Sequence, residues 1–139
     1  MKQLSLFLLD TNDFFPIMLD NALGSQIGYR MTHYRSGEKA VKDLYLMPDI
    51  IIIGDSLSDE EKIAAVSKIK AARSKAEIII ISKPESDVNS MTKLFKEGVY
   101  DYIVKDREIL KNLSNSVLNI HTLNTGIKKN RLLRKMGWI

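Results

Sequence analysis

Pro48-Asp49-Ile50-Ile51-Ile52-Ile53-Gly54-Asp55-Ser56-Leu57-Ser58-Asp59 sets four consecutive isoleucines between a proline and a glycine. The run is too short for a helix and lacks the polar alternation of a half-exposed strand, so it reads as a strand buried on both faces. Strands of that kind lie in the middle of parallel sheets. In open parallel sheets the reactive edge lies beyond the carboxyl ends of the strands, which makes Gly54, Asp55 and Ser56 the first place to look for function.

Working outward, Leu4-Ser5-Leu6-Phe7-Leu8-Leu9 is a second buried strand that ends at Asp10. Asn12 or Thr11 is placed to cap a helix carrying Phe14, Phe15, Met18, Leu19 and Ala22, closed by Gly24 and Gly28. Tyr29 to Tyr34 alternates as a strand, and Ser36 caps a helix with Ala40, Val41 and Leu44 on one face. After the isoleucine strand, Ser58 or Asp59 opens a helix with Ile63, Val66 and Ile69, and Glu77 to Ser82 forms the fourth strand. Asp87 to Lys96 is helical with Gly98 as its stop, and Tyr100 to Val104 is the fifth strand. From Asp106 a last helix carries Ile109, Leu110, Leu113, Val117 and Ile120 on one face.

A fivefold strand and helix alternation predicts an α/β fold: a doubly wound, five-stranded parallel sheet with helices on both faces. The common order for five strands is 2-1-3-4-5, with its switch point between the first and third strands. Asp10 ends one of those strands and Gly54-Asp55 the other, so they are expected to face each other.

Composition bounds the rest. At 139 residues and 45% hydrophobic, the chain suits one domain. No apolar run approaches the roughly 18 residues of a membrane span, and Met1-Lys2-Gln3 followed by six residues before Asp10 is short for a signal peptide. There is no cysteine, which excludes disulfides and thiolate metal sites and suits a cytoplasmic setting. The formal charge of +4 is unevenly spread: Lys128, Lys129, Arg131, Arg134 and Lys135 lie in an acid-free tail, and taking these five from 21 leaves 16 basic against 17 acidic residues. The body is near neutral. Domain-wise, residues 1–121 are expected to form the folded unit and 122–139 a basic helical extension or linker, with a break near Leu123-Asn124-Thr125-Gly126 and an exposed Trp138-Ile139 end. The tail is either a solvated linker or a docking or dimerisation element, and nothing else in the chain supplies a nucleic-acid surface.

Leu8-Leu9-Asp10, Ser36-Gly37-Glu38-Lys39-Ala40, Pro48-Asp49, Ser82, and Gly98-Val99-Tyr100-Asp101-Tyr102-Ile103-Val104-Lys105 occur in an order and at intervals that resemble the receiver domain of two-component response regulators, over about residues 3–121. That resemblance implies a CheY-like, flavodoxin-like fold and phosphotransfer to an aspartate at the end of the third strand. It further implies a divalent cation held by an acidic pair after the first strand, with a hydroxyl and a lysine after the fourth and fifth strands touching the phosphoryl group. Carried across, Asp10 matches the first acid, Ser82 the hydroxyl, Lys105 the lysine and Tyr102 the switch aromatic. Thr11 stands where the second acid belongs, and Gly54 where the acceptor belongs.

Glycine has no nucleophile, and a hard cation wants carboxylate oxygens. The expectation is therefore a degenerate receiver pocket of Asp10, Thr11, Gly54, Asp55, Ser82 and Lys105. It holds no metal, requires no cofactor and catalyses nothing, and it acts on a protein partner or a second copy rather than on membrane or nucleic acid. The alternative is a working receiver in which Asp55 is the phosphoacceptor for a histidine kinase. A regular strand would send Asp55 to the opposite face, whereas a bulge at Gly54 would swing it back and let magnesium bind through it. Plainer readings accompany these: Asp10 pairing with Lys105 to hold two strand ends, Asp13 as a favourable charge at a helix start, Ser82 as a turn residue, Tyr102 as a packed ring, and His33 and His121 with no metal-binding spacing. Gly24 to Gly28 follows a helix rather than a strand, so it does not read as a phosphate loop.

Overall fold

The computed structural model describes residues 3–24, 26–85 and 87–135, with side chains as far as residue 124. Five strands, β1 (Leu4–Leu9), β2 (Tyr29–Tyr34), β3 (Ile50–Ile53), β4 (Glu77–Ser82) and β5 (Asp101–Val104), alternate with five helices. These are α1 (Phe14–Leu23), α2 (Gly37–Lys42), α3 (Asp59–Ala71), α4 (Val88–Lys96) and α5 (Ile109–Lys135), with a 3-10 turn at Asp43–Leu46. The sheet is wholly parallel in the order β2-β1-β3-β4-β5, as the alternation predicts.

Every isoleucine of β3 has zero exposure because both faces are covered. Ile51 and Ile53 pack with Ile78, Ile80, Phe7 and Leu9 against Ala65, Val66 and Ile69 of α3 and Leu94 of α4. Ile50 and Ile52 face the other way, with Ile79, Ile81 and Leu8, onto Phe15 and Leu19 of α1 and Leu113 and Val117 of α5. Each such side chain contributes about 1.5–3 kcal/mol relative to exposure, so β3 anchors both layers. Asp49 locks the strand's entry: its carboxylate accepts from the Ser5 N–H at 2.8 Å.

Register brings the functional edge together. Leu9 lies beside both Tyr34 and Ile53, and Ser82 beside Val104. The ladder continues one step further, with the Gly54 N–H donating to the Leu9 carbonyl at 2.8 Å and the Lys105 N–H to the Ser82 carbonyl at 2.7 Å. Asp10, Gly54, Ser82 and Lys105 therefore end at a common level.

Three local expectations are corrected. On α1 the buried stripe is Phe15, Leu19 and Leu23, while Phe14 and Met18 face outward, because the helix starts from Asp13 with Asn12 accepting from the Phe14 N–H. On α3 the stripe is Lys62, Ala65, Val66 and Ile69, with Ile63 only partly covered. The break near Gly126 is absent: α5 runs unbroken from Ile109 to Lys135. An interior glycine costs a helix only about 1 kcal/mol, and each residue added to a helix already anchored by Leu113, Val117 and Ile120 gains a backbone bond. The side chains of the basic tail and the Trp138-Ile139 end lie outside the described residues. Among the described residues, no helix is long and apolar enough to cross a membrane.

Candidate functional site

Asp10 leaves β1 fully buried and turns toward β3. Its Oδ1 accepts from the Ser56 hydroxyl at 2.8 Å and the Asn12 N–H at 2.6 Å, and its carbonyl lies 2.6 Å from His33 Nε2. No hydrogen-bond partner reaches Oδ2 among the described residues. That oxygen points at Gly54, where an ideal Cβ would stand 1.6 Å from Oδ2, 2.5 Å from Cγ and 2.9 Å from Cβ of Asp10. The carboxylate thus fills the space in which a side chain at residue 54 would begin.

Strand β3 ends at Ile53 without a bulge, and Asp55 and Ser56 form a turn beyond it. The turn, rather than a bulge, frees Asp55 from strand alternation. Its carboxylate is 11% exposed and lies 3.3 Å from Lys105 Nζ. The ion pair at this edge is therefore between Asp55 and Lys105, and the alternative pairing of Lys105 with Asp10 is not formed. Asp10 is drawn instead to Ser56 and Asn12. Ser56 completes the link between the β1 and β3 ends by also accepting from the Thr11 N–H at 2.9 Å.

Ser82 is buried at the end of β4, donates to the Lys83 carbonyl at 3.0 Å, and accepts from the Tyr102 hydroxyl at 2.6 Å. The Tyr102 ring lies 6.0 Å from that of Phe95 on α4, so the aromatic is tied to both β4 and α4. Asp13 caps no backbone group and instead meets Arg35 in an exposed ion pair.

The sequence reading passed over Lys62. Its side chain is 2% exposed, and its Nζ lies 3.9 Å from Asp59. Burial pushes its pKa down, while Asp59, Asp55 and Asp10 pull toward the charged form and Lys83 opposes them. A signal existed: stepping back from Ile69 by helical spacing through Val66 and Ala65 lands on residue 62. Among the described residues, no three His, Cys, Asp or Glu side chains are grouped to hold a metal ion.

No protein-family model and no curated protein matches this sequence. Solved structures do. The signal receiver domain of a protein named as a Luxo repressor of Vibrio parahaemolyticus superposes with a TM-score of 0.77 at 17% identity, over 94% of this chain and 98% of that one. A response regulator from Thermotoga maritima gives 0.71 at 18% identity, over 86% and 98%. An orphan response regulator of H. pylori gives 0.71 at 19%, over 84% and 95%. The fold of this chain is that of response-regulator receiver domains.

Proposed function

We propose that this chain is a two-component signalling module of the receiver type that works without aspartyl phosphorylation, through contact with a protein partner or a second copy, and that it is not an enzyme. The observation that carries this reading is the filled slot at Gly54. The position that matches the family's acceptor has no side chain, and the Asp10 carboxylate sits where one would start. The pocket's other groups are already engaged with each other: Lys105 with Asp55, and Ser82 with Tyr102. In a receiver, a phosphoryl group would supply charge and acceptor oxygens to that hydroxyl and lysine. Here the chain's own side chains satisfy both, which favours a single resting conformation.

The residues do not fit the divalent cation that the fold implies. Thr11 and Gly54 bring no carboxylate and Asp55 is held by an ammonium group, so among the pocket residues Asp10 Oδ2 is left as a single unengaged carboxylate oxygen, too few for a hard cation.

A second reading has one observation in its favour. Asp55 is directed toward Lys105, the geometry a shifted acceptor would need. Its carboxylate oxygen would attack the phosphorus of a phosphodonor and expel the donor's leaving group, and a histidine kinase would then be the partner. Incubation with acetyl phosphate followed by intact mass measurement and size-exclusion chromatography separates the two. The expected result is unchanged mass and unchanged oligomeric state. A gain of one phosphoryl group, lost in Asp55→Asn but kept in Asp59→Asn, would overturn the first reading and establish the second.

A further inference from the structure

Helix α1 is apolar on both sides. Phe15, Leu19 and Leu23 face the core, yet on the outward side Phe14 is 73% exposed, Ile17 59% and Met18 38%. Large side chains at i, i+3 and i+4 leave a strip of hydrocarbon in water, where the solvent face of a surface helix is ordinarily polar. The charge beside the strip is of one sign. No lysine or arginine occurs from Gln3 to Tyr29, so α1 alone among the five helices carries none, and the exposed Asp20 on it accepts from the Tyr29 hydroxyl. Its neighbour in the same layer has the opposite character. From Ile109 onward the sequence holds no aspartate or glutamate, and Lys128, Lys129, Arg131, Arg134 and Lys135 crowd its later part.

Geometry decides which copy of α5 can cover that strip. Both helices follow parallel strands, so they run side by side from the carboxyl edge of the sheet toward its amino edge. Ile120 is the last residue of α5 in the core, and the helix continues to Lys135, about 22 Å further. The extension therefore leads away from Phe14 and Ile17 of its own chain. On a second copy turned end for end, it runs antiparallel to α1, whose ten residues span about 15 Å. In that sense the two patterns match: Lys128-Lys129 comes level with Asp20, and Leu132-Leu133 with Ile17 and Phe14. We propose that α1 is the docking face for the α5 extension of a second copy, the two copies exchanging these helices about a two-fold axis. The axis repeats the contact, so two helix pairs hold the dimer and the association closes. A base-free helix and an acid-free one attract each other and repel their own kind, which fixes the partner of each. The pairing rests on the reading of a module that works through contact with a protein partner or a second copy, and it names the second copy.

Sedimentation equilibrium of the whole chain tests this with wild type, Ile17→Lys and Lys128→Glu/Lys129→Glu. Tyr45→Lys serves as a control, at an exposed apolar turn on the α3 side of the sheet. The wild type is expected to be a dimer that weakens as salt rises from about 0.1 to 1 M, since the Debye length falls from about 10 to 3 Å. Ile17→Lys and Lys128→Glu/Lys129→Glu are each expected to raise the dissociation constant about tenfold or more, while Tyr45→Lys leaves it unchanged. Mixing the two weakened variants supplies one native helix pair and one in which lysine at position 17 meets the introduced glutamates. The mixture is therefore expected to recover dimers that neither variant forms alone. A monomeric wild type overturns the pairing, as does a dimer that either variant leaves intact, that Tyr45→Lys breaks, or that mixing fails to recover. Each of these outcomes leaves the acetyl phosphate mass result untouched. A phosphoryl gain in that measurement overturns the reading of a module without aspartyl phosphorylation and leaves the dimer standing.

Discussion

Asp10 and Gly54 share one side-chain volume: the carboxylate of the first fills the space that a methyl group on the second would need. The two residues end adjacent parallel strands, and the Gly54 N–H continues the ladder to Leu9, so neither backbone is free to move apart. Any side chain at residue 54 must therefore displace Asp10 from its bonds to Ser56 and Asn12.

Gly54→Ala is accordingly expected to cost about 1–3 kcal/mol, the range for overpacking a filled interior. Combined with Asp10→Ala, which empties the slot, the alanine at residue 54 should cost less. Urea denaturation of the two single variants and the double variant measures this, and simple additivity would contradict the shared volume.

Lys105→Ala leaves a nearly buried Asp55 carboxylate without its ammonium partner, whereas Lys42→Ala breaks only the exposed pair with Glu38. Lys105 is itself partly solvated, so screening limits the first effect to about 1 kcal/mol, while the second should stay within about 0.5 kcal/mol. Denaturation midpoints that fall equally in the two variants would show that Asp55 is compensated elsewhere.

Two phenols give the fold an alkaline limit. Burial, followed by hydrogen bonding to Asp20 and the field of its carboxylate, raises Tyr29 from 10.0 to about 12, and burial with the Asp43 hydrogen bond pushes Tyr34 upward as well. The folded state holds these protons more tightly than the unfolded chain does. Their contribution is thus complete below pH 10 and is lost as pH rises through the folded values. Melting temperature should fall across that window, and Tyr34→Phe should remove part of the fall. An identical pH profile in Tyr34→Phe would refute the assignment.

The start of α3 is held by a reciprocal cap, with the Ser58 hydroxyl accepting from the Glu61 N–H at 3.1 Å and the Glu61 carboxylate accepting from the Ser58 N–H at 3.0 Å. Ser58→Ala should cost about 1 kcal/mol. Ser36→Ala, whose hydroxyl accepts at 3.3 Å without a reciprocal partner, should cost less. Reversal of that order in urea denaturation would mean that the reciprocal bond adds nothing.

The strands were legible because each is a short apolar run with clear ends. Leu4–Leu9, Tyr29–Tyr34, Ile50–Ile53 and Glu77–Ser82 stand where composition and turn residues place them, and β5 differs only in starting at Asp101 rather than Tyr100. Parallel order followed from the alternation with helices, since the connections leave few topologies open. The edge of the site was legible for the same reason: once β1 and β3 are neighbours, Asp10 and Gly54 must meet.

Helix faces and pairings were not legible to that degree. One residue of helix turns a side chain by about 100°, so Ile63 and Lys62 are both near the apolar stripe of α3 in sequence, and only packing against β3 and β4 chooses Lys62. The same choice sends Phe15 inward and Phe14 out on α1. Whether Lys105 meets Asp10 or Asp55 depends on a turn at Asp55 and on the close approach of Asp10 to Gly54, which exists only when two strands lie side by side. A missing side chain is visible in one dimension, but the group that fills its space is decided by distances across the sheet, in three.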